Sequence, residues 1–186
     1  MTTEDRKDAV DWPAQAVDQL DWHWRTQLRP RLDGLTDAEY LWEPTPAAWN
    51  VHLADNGGPA TIDFAYPEPT PAPLTTIAWQ LAHVVVGCLG ARSASHFGGP
   101  PVDYDTFPYA ATADEALVQL DEAYARWLAG VRRWQAEGTM GEPVGPAEGP
   151  WADQPRGALV LHINREVIHH AAHIAVLRDL WAHRND

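Results

Sequence analysis

Three of the nine histidines in this 186-residue chain fall within five positions, in the stretch NREVIHHAAHIAVLRDL from Asn164 to Leu180. A carboxylate, Glu166, stands just ahead of them. Imidazole and carboxylate both ligate divalent cations, and two such groups four residues apart on a helix can reach one ion. At about 100° per residue, Leu159, Ile163, Val167, Ile174, Leu177 and Trp181 form one apolar stripe, with Glu166 and His170 inside it. His169 and His173 make a second i, i+4 pair on the flank, near His162. A carboxylate on an apolar face needs a partner, because burying it unpaired is expensive. Arg165 is adjacent but points elsewhere on the wheel, so the partner is expected from another helix or from a divalent cation. A plainer reading stands beside this one: a histidine on an apolar helix is commonly a satisfied core residue, and histidine clusters also occur on surfaces.

A third ligand separates the two readings. His83 lies in the otherwise apolar run IAWQLAHVVVGCLG, with Trp79 at i−4 and Gly87 at i+4, and can be aimed at Glu166 and His170 if its helix packs beside theirs. Three protein ligands with one position left open are the pattern of a catalytic rather than a structural zinc site. The chain has no Cys-x-x-Cys to suggest a structural one. Cys88 has no visible activating neighbour and reads as a buried small residue. Trp79, Trp49 or Trp42 could wall the site, and His52 could overhang it from a loop. His23, His96 and His183 have no comparable setting.

These residues must be positioned by helices, since helical periodicity dominates and strand alternation is scarce. The first helix is expected from Lys7 to Leu28, with Pro13 in its first turn and Pro30 marking its end. A short helix follows in LTDAEYLWEP, where Thr36 and Glu39 have capping-box spacing. Pro44 to Pro73 is rich in proline and glycine and reads as a long loop, the kind often packed over a site. The second long helix is expected from Thr75 to His96, the third from the Thr112/Glu115 capping box to Gly138, and the fourth from Gly157 to His183. The fold class is therefore all-α, a four-helix bundle in a single domain spanning the chain. The long first connection argues against a simple up-down-up-down course.

Composition narrows the function. The net charge is −13, from 26 acidic and 13 basic residues, which excludes the basic footprint of a nucleic-acid binder and disfavours anionic membranes. The apolar run TTIAWQLAHVVVGCLGA is too short for a membrane span and carries a histidine. A single cysteine forbids an intrachain disulfide, and the N-terminus lacks the pattern of a signal peptide, so the cytoplasm is the expected compartment. Ten tryptophans are many for this length, enough for core anchors and a cleft wall together.

A histidine in the middle of the second helix, followed by a ligand pair at i, i+4 on the last, resembles the DinB-like superfamily, which includes mycothiol-dependent maleylpyruvate isomerases and bacillithiol S-transferases. HINREVIHHAAHIAVLRDL is similar to the last helix of actinobacterial members, LRPRLDGLTDAEYLWEP to the end of their first, and TTIAWQLAHVVVGCLGARSASHFG to their second. The likeness runs from about Asp18 to Leu180. It implies an up-down-down-up bundle holding a divalent metal, zinc first and nickel or another transition metal next, through His83, Glu166 and His170. Many relatives carry histidine where this chain has Glu166, and the isomerase branch resembles the glutamate version. Ala172 stands where glycine is frequent, and His173 where glutamine, glutamate or histidine occurs, which keeps His169 and His173 open as the alternative pair.

The implied activity is a metal-dependent transferase or isomerase that uses a low-molecular-weight thiol on a small electrophile, with His173 or His169 as orienter or proton shuttle. The alternatives are a hydrolase using metal-bound water and a non-catalytic metal- or ligand-binding stress or sensor protein. Relatives are often dimers, so a homodimer is also expected.

Overall fold

The computed structural model describes residues 10–54 and 58–185. The expected helix start at Lys7, and Asn56 and Gly57 of the long loop, lie outside the described residues. The first bundle helix opens at Trp12–His23, where Asp11 caps the amide of Ala14 at 3.0 Å and Pro13 occupies the first turn. It continues without a break through a π-helical stretch, Trp24–Leu28, into Arg29–Arg31. Pro30, expected to end the helix, lies inside its last turn. Having no N–H, it sits where the register returns from π to α spacing, so no hydrogen bond is lost there.

The second bundle helix is also composite: Ile77–His83, a π-helical stretch Val84–Gly90, and Ala91–Phe97. Thr76 caps it through the amide of Trp79, and Gly98 ends it at a φ of 87°. The third runs Ala113–Ala136 behind Thr112, whose hydroxyl accepts from the Glu115 amide while the Glu115 carboxylate accepts from the Ala111 amide. The fourth runs Arg156–Ala182. A short helix, Asp37–Tyr40, lies between the first two. Thr36 caps it as expected, but the Glu39 carboxylate turns to Arg178 of the last helix, at 2.8 Å, rather than back to its own cap.

Cross-helix contacts set the course of the chain. Asn164 donates to the Ala16 carbonyl and Arg31 pairs with Asp179, so the first and last helices are parallel. Asp21 accepts from Tyr124 and Arg132 while Arg29 meets Asp121, so the first and third are antiparallel. Phe97, ending the second helix, packs on Trp127 and Trp134 of the third, where a side chain at Gly130 would strike its ring. The second and third are therefore parallel, and the course is up-down-down-up. Trp127, Leu120, Ile163, Ile174, Leu81 and Leu89 fill the centre. On the last helix Leu159, Ile163, Val167, His170, Ile174 and Leu177 are buried, whereas Glu166 and Trp181 are half-buried.

The described residues of the Pro44–Pro73 segment are tied down at several points. β1 (Val51–His52) pairs antiparallel with β2 (Thr61–Ile62), and Trp49 exchanges backbone hydrogen bonds with Leu74 and Thr76 at the head of the second helix. Asn50, buried, accepts from the Thr76 hydroxyl and donates to the Leu41 carbonyl. Asp63 accepts from the indole of Trp79 through its carbonyl. The loop is thereby held against the helix that carries His83. Among the described residues no helix is long and apolar enough to cross a membrane.

Candidate metal centre

His83 and His170 come from adjacent helices to within 4.4 Å between ring centroids. Each has its Nδ1 engaged from outside. The Tyr104 hydroxyl sits 2.6 Å from Nδ1 of His83, and Nδ1 of His170 lies 2.5 Å from Oε1 of the buried Gln80. Gln80 uses its amide nitrogen on the Thr75 hydroxyl, at 2.6 Å, which fixes its oxygen toward His170. The Gln80 oxygen can only accept, so His170 carries its proton on Nδ1 and its Nε2 lone pair is free. An outer hydrogen bond of this kind is what holds a metal-ligating imidazole in one tautomer and one orientation.

A sulfur joins them. One ring nitrogen from each of His83 and His170 and the Cys88 thiol all lie within 4.8 Å of one another. A tetrahedral cation with ligand bonds of about 2.0–2.3 Å would draw such atoms closer by small side-chain movements. Two imidazoles with a thiol or a carboxylate suit zinc, cobalt or nickel better than calcium or magnesium.

Electrostatics favour neutral imidazoles here. Burial, reinforced by the neighbouring His83, His169 and His173, pushes His170 down to about 3. Burial also lowers His83, against the opposing pull of the Glu166 charge. Both rings therefore offer lone pairs at neutral pH. The Cys88 thiol is pushed up to about 12 by burial and by Glu166, so without a cation it stays protonated.

Glu166 lines the same cavity as His83, Cys88 and Tyr104, about 500 Å³ in volume. Its carboxylate is met by Arg165 at 3.2 Å and His162 at 3.4 Å, both on its own helix. The structure thus brings His83 and His170 together and leaves Glu166 on the wall, already partnered by the arginine that the wheel pointed elsewhere. His169 and His173 are exposed on the flank, their rings 4.3 Å apart.

Of the three tryptophans, Trp79 stacks on His83 at 5.1 Å, Trp49 lies behind it at 5.8 Å, and Trp42 packs instead on Trp181. His52 binds Asp63 at 2.6 Å. The long loop reaches the site through Phe64, stacked on Tyr104 at 4.4 Å. His96 has a setting that sequence reasoning did not find: it is paired with Glu148 at 2.8 Å beside Trp134.

Gln80, Cys88 and Tyr104 are the site residues that sequence reasoning missed. Gln80 left a trace, as a polar side chain in an apolar helical run. Gly87 left another: a Cβ there would lie 2.2 Å from the Tyr104 oxygen, so the glycine marks a close approach to His83. Tyr104 itself lies in an irregular connection with no periodicity to betray it.

A family model for the DinB superfamily matches residues 19–174 of the chain. No curated protein and no solved structure shows a significant match to it.

Proposed function

The chain belongs to the DinB superfamily, and from that premise we propose that it is a divalent-metal protein acting as a transferase or isomerase, with a low-molecular-weight thiol of the mycothiol type and a small electrophilic substrate. The observation that carries this reading is the approach of the His83 and His170 rings to 4.4 Å, each with Nδ1 held from outside. His83, Glu166 and His170 would hold the ion, with zinc the first choice and nickel or another transition metal next. When bound, the cation supplies the Lewis acidity that makes a thiol a thiolate near neutral pH.

The chain's own residues do the rest. Tyr104 and Gln80 hold the two rings in place, and Gln80 also leaves the Nε2 lone pair of His170 free before an ion arrives. Trp79 covers one face of His83, and the Phe64–Tyr104 stack forms an apolar wall that limits water. The acidic wall at Glu166 favours a cation over an anion at the same place. The proposed setting is the cytoplasm, where a reduced thiol pool is present. Exposed Trp12, Trp22, Leu161, Val176 and Leu180 are consistent with a homodimer, which sedimentation velocity would test.

Cys88 gives a second reading of the third ligand, because its sulfur already lies within reach of both imidazoles. Cobalt substitution separates the two. Thiolate ligation gives intense near-ultraviolet charge transfer that disappears in Cys88→Ser, whereas carboxylate ligation gives none, and Glu166→Gln then weakens binding.

The parent test is metal content after purification without a histidine tag. A stoichiometric divalent ion is expected, lost in His83→Ala while the circular dichroism spectrum persists. Absence of the ion, or unchanged metal in His83→Ala, refutes the centre. A conjugation screen with mycothiol, bacillithiol and glutathione then tests the reaction. Ester or amide turnover without thiol would point to hydrolysis, and no turnover to a sensor.

A further inference from the structure

His169 and His173 have no part in the centre above. Both are exposed, one helical turn apart, with ring centroids separated by 4.3 Å. They open onto a different cavity, about 410 Å³, between the last helix and the long loop, in which Gln80 and His170 also take part. Gln80 is common to both sides: its oxygen serves Nδ1 of His170, and its nitrogen lies 3.4 Å from Nδ1 of His173. The His170 ring is 5.3 Å from that of His169 and 6.2 Å from that of His173. Among the described residues, the ion pairs include neither outer ring, so the pair is not accounted for by a salt bridge. Histidine is also a middling helix former, so helix stability does not account for two of them on one exposed face.

We propose that His169 and His173 form a second, solvent-facing chelate for a divalent transition-metal ion, distinct from the His83–His170 centre, and that it loads that centre. Two imidazoles on successive turns of one helix can hold a single ion. With only two protein ligands the remaining positions go to water, so the ion is held weakly and exchanges fast. The inner imidazoles offer the reverse: burial and anchored rings, which favour tight retention and slow direct access. His170 lines the flank cavity and also belongs to the inner pair, so it links the two sites. The delivery role rests on the inner centre proposed above, whereas the outer chelate does not.

The test uses the full chain, untagged and stripped of metal, titrated with zinc against a chromophoric chelator and loaded in a stopped-flow instrument. Wild type should bind one ion tightly and one weakly. His169→Ala/His173→Ala should lose only the weak ion and slow loading of the tight one by about tenfold, with its equilibrium affinity within about twofold. His83→Ala should lose only the tight ion. A single ion in wild type, or a weak ion that survives the double substitution, overturns the outer chelate. Unchanged loading with the weak ion gone overturns the delivery role. Loss of the tight ion in the double variant overturns the division into two sites and makes the flank the principal centre. If His83→Ala keeps both ions, the inner centre fails while the outer pair stands. The substituted positions are exposed, so the fold is not at risk in the decisive variant.

Discussion

Substituting Gly87 tests whether Tyr104 anchors His83. A Cβ at Gly87 would stand 2.2 Å from the Tyr104 oxygen, 3.2 Å from the ring carbon bearing it, and 3.3 Å from Cε1 of His83. Gly87→Ala must therefore push the tyrosine off His83. Overpacking of this kind costs about 1–3 kcal/mol, and the lost hydrogen bond adds roughly 0.5–1.5 kcal/mol. Replacing a helical glycine by alanine returns about 1 kcal/mol. The net is a loss of roughly 2 kcal/mol, which for a chain of this size lowers Tm by about 4–8 °C.

Tyr104→Phe removes the atom that clashes, leaving the ring carbon at a distance a small shift can accommodate. In the double variant the alanine should therefore cost little or even stabilise. A double-mutant cycle in urea should show a coupling of about 1–2 kcal/mol between the two positions. Gly87→Ala that is stabilising alone, with an additive cycle, would refute the Tyr104 placement and with it the anchoring of His83.

Three further outcomes are expected. His170 is held down to about 3, against about 6.5 in the unfolded chain. Below pH 6.5 the unfolded state takes up a proton that the folded state refuses, so stability is full above about 6.5 and falls toward pH 3, by up to about 1.4 kcal/mol per pH unit from this group. Urea midpoints of metal-free protein between pH 7 and 4 should show this slope, and His170→Gln should flatten it; an unaltered slope would place the ring in water. Arg178 joins the buried Glu39 at 2.8 and 3.2 Å, and Arg178→Ala should cost about 3–5 kcal/mol by stranding that carboxylate, measured as the urea midpoint. Cys88, buried and with its thiol pushed up to about 12, should resist an aromatic disulfide reagent at pH 8 in native metal-free protein and react once unfolded; rapid native reaction would contradict its burial.

Helix positions were legible because capping residues and apolar spacing act locally. Thr36 and Thr112 each bind the amide expected of a cap, and the ends of the second, third and fourth helices fall within a few residues of the expected ones. His83 and His170 were legible for the same reason: both lie on faces that the α-helical period turns inward. Glu166 shows the limit of a wheel, which treats side chains as fixed radial spokes. Arg165 is long enough to bend back along the surface and reach its neighbour's carboxylate. Cys88 was missed for a sharper reason. On an α-helical wheel it lies about 140° from His83, but Val84–Gly90 is π-helical, and there residues five apart stack as those four apart do in an α-helix. No apolar pattern announces that change of period.

The π-helical stretch also lies between two ends of the second helix that have different duties. Upstream, His83 faces His170; downstream, Phe97 fills the niche that Gly130 leaves in the third helix. Deleting one residue from Val84–Gly90 would restore α spacing yet leave the segment Ala91–Phe97 near its present phase to His83, because a π-helical stretch takes up one extra residue by turning less per residue. Phe97 would keep its niche, whereas Cys88 would leave the centre if the deleted residue followed it, lying then about 140° from His83. A one-residue gap in this stretch would thus spare the architecture and alter the site.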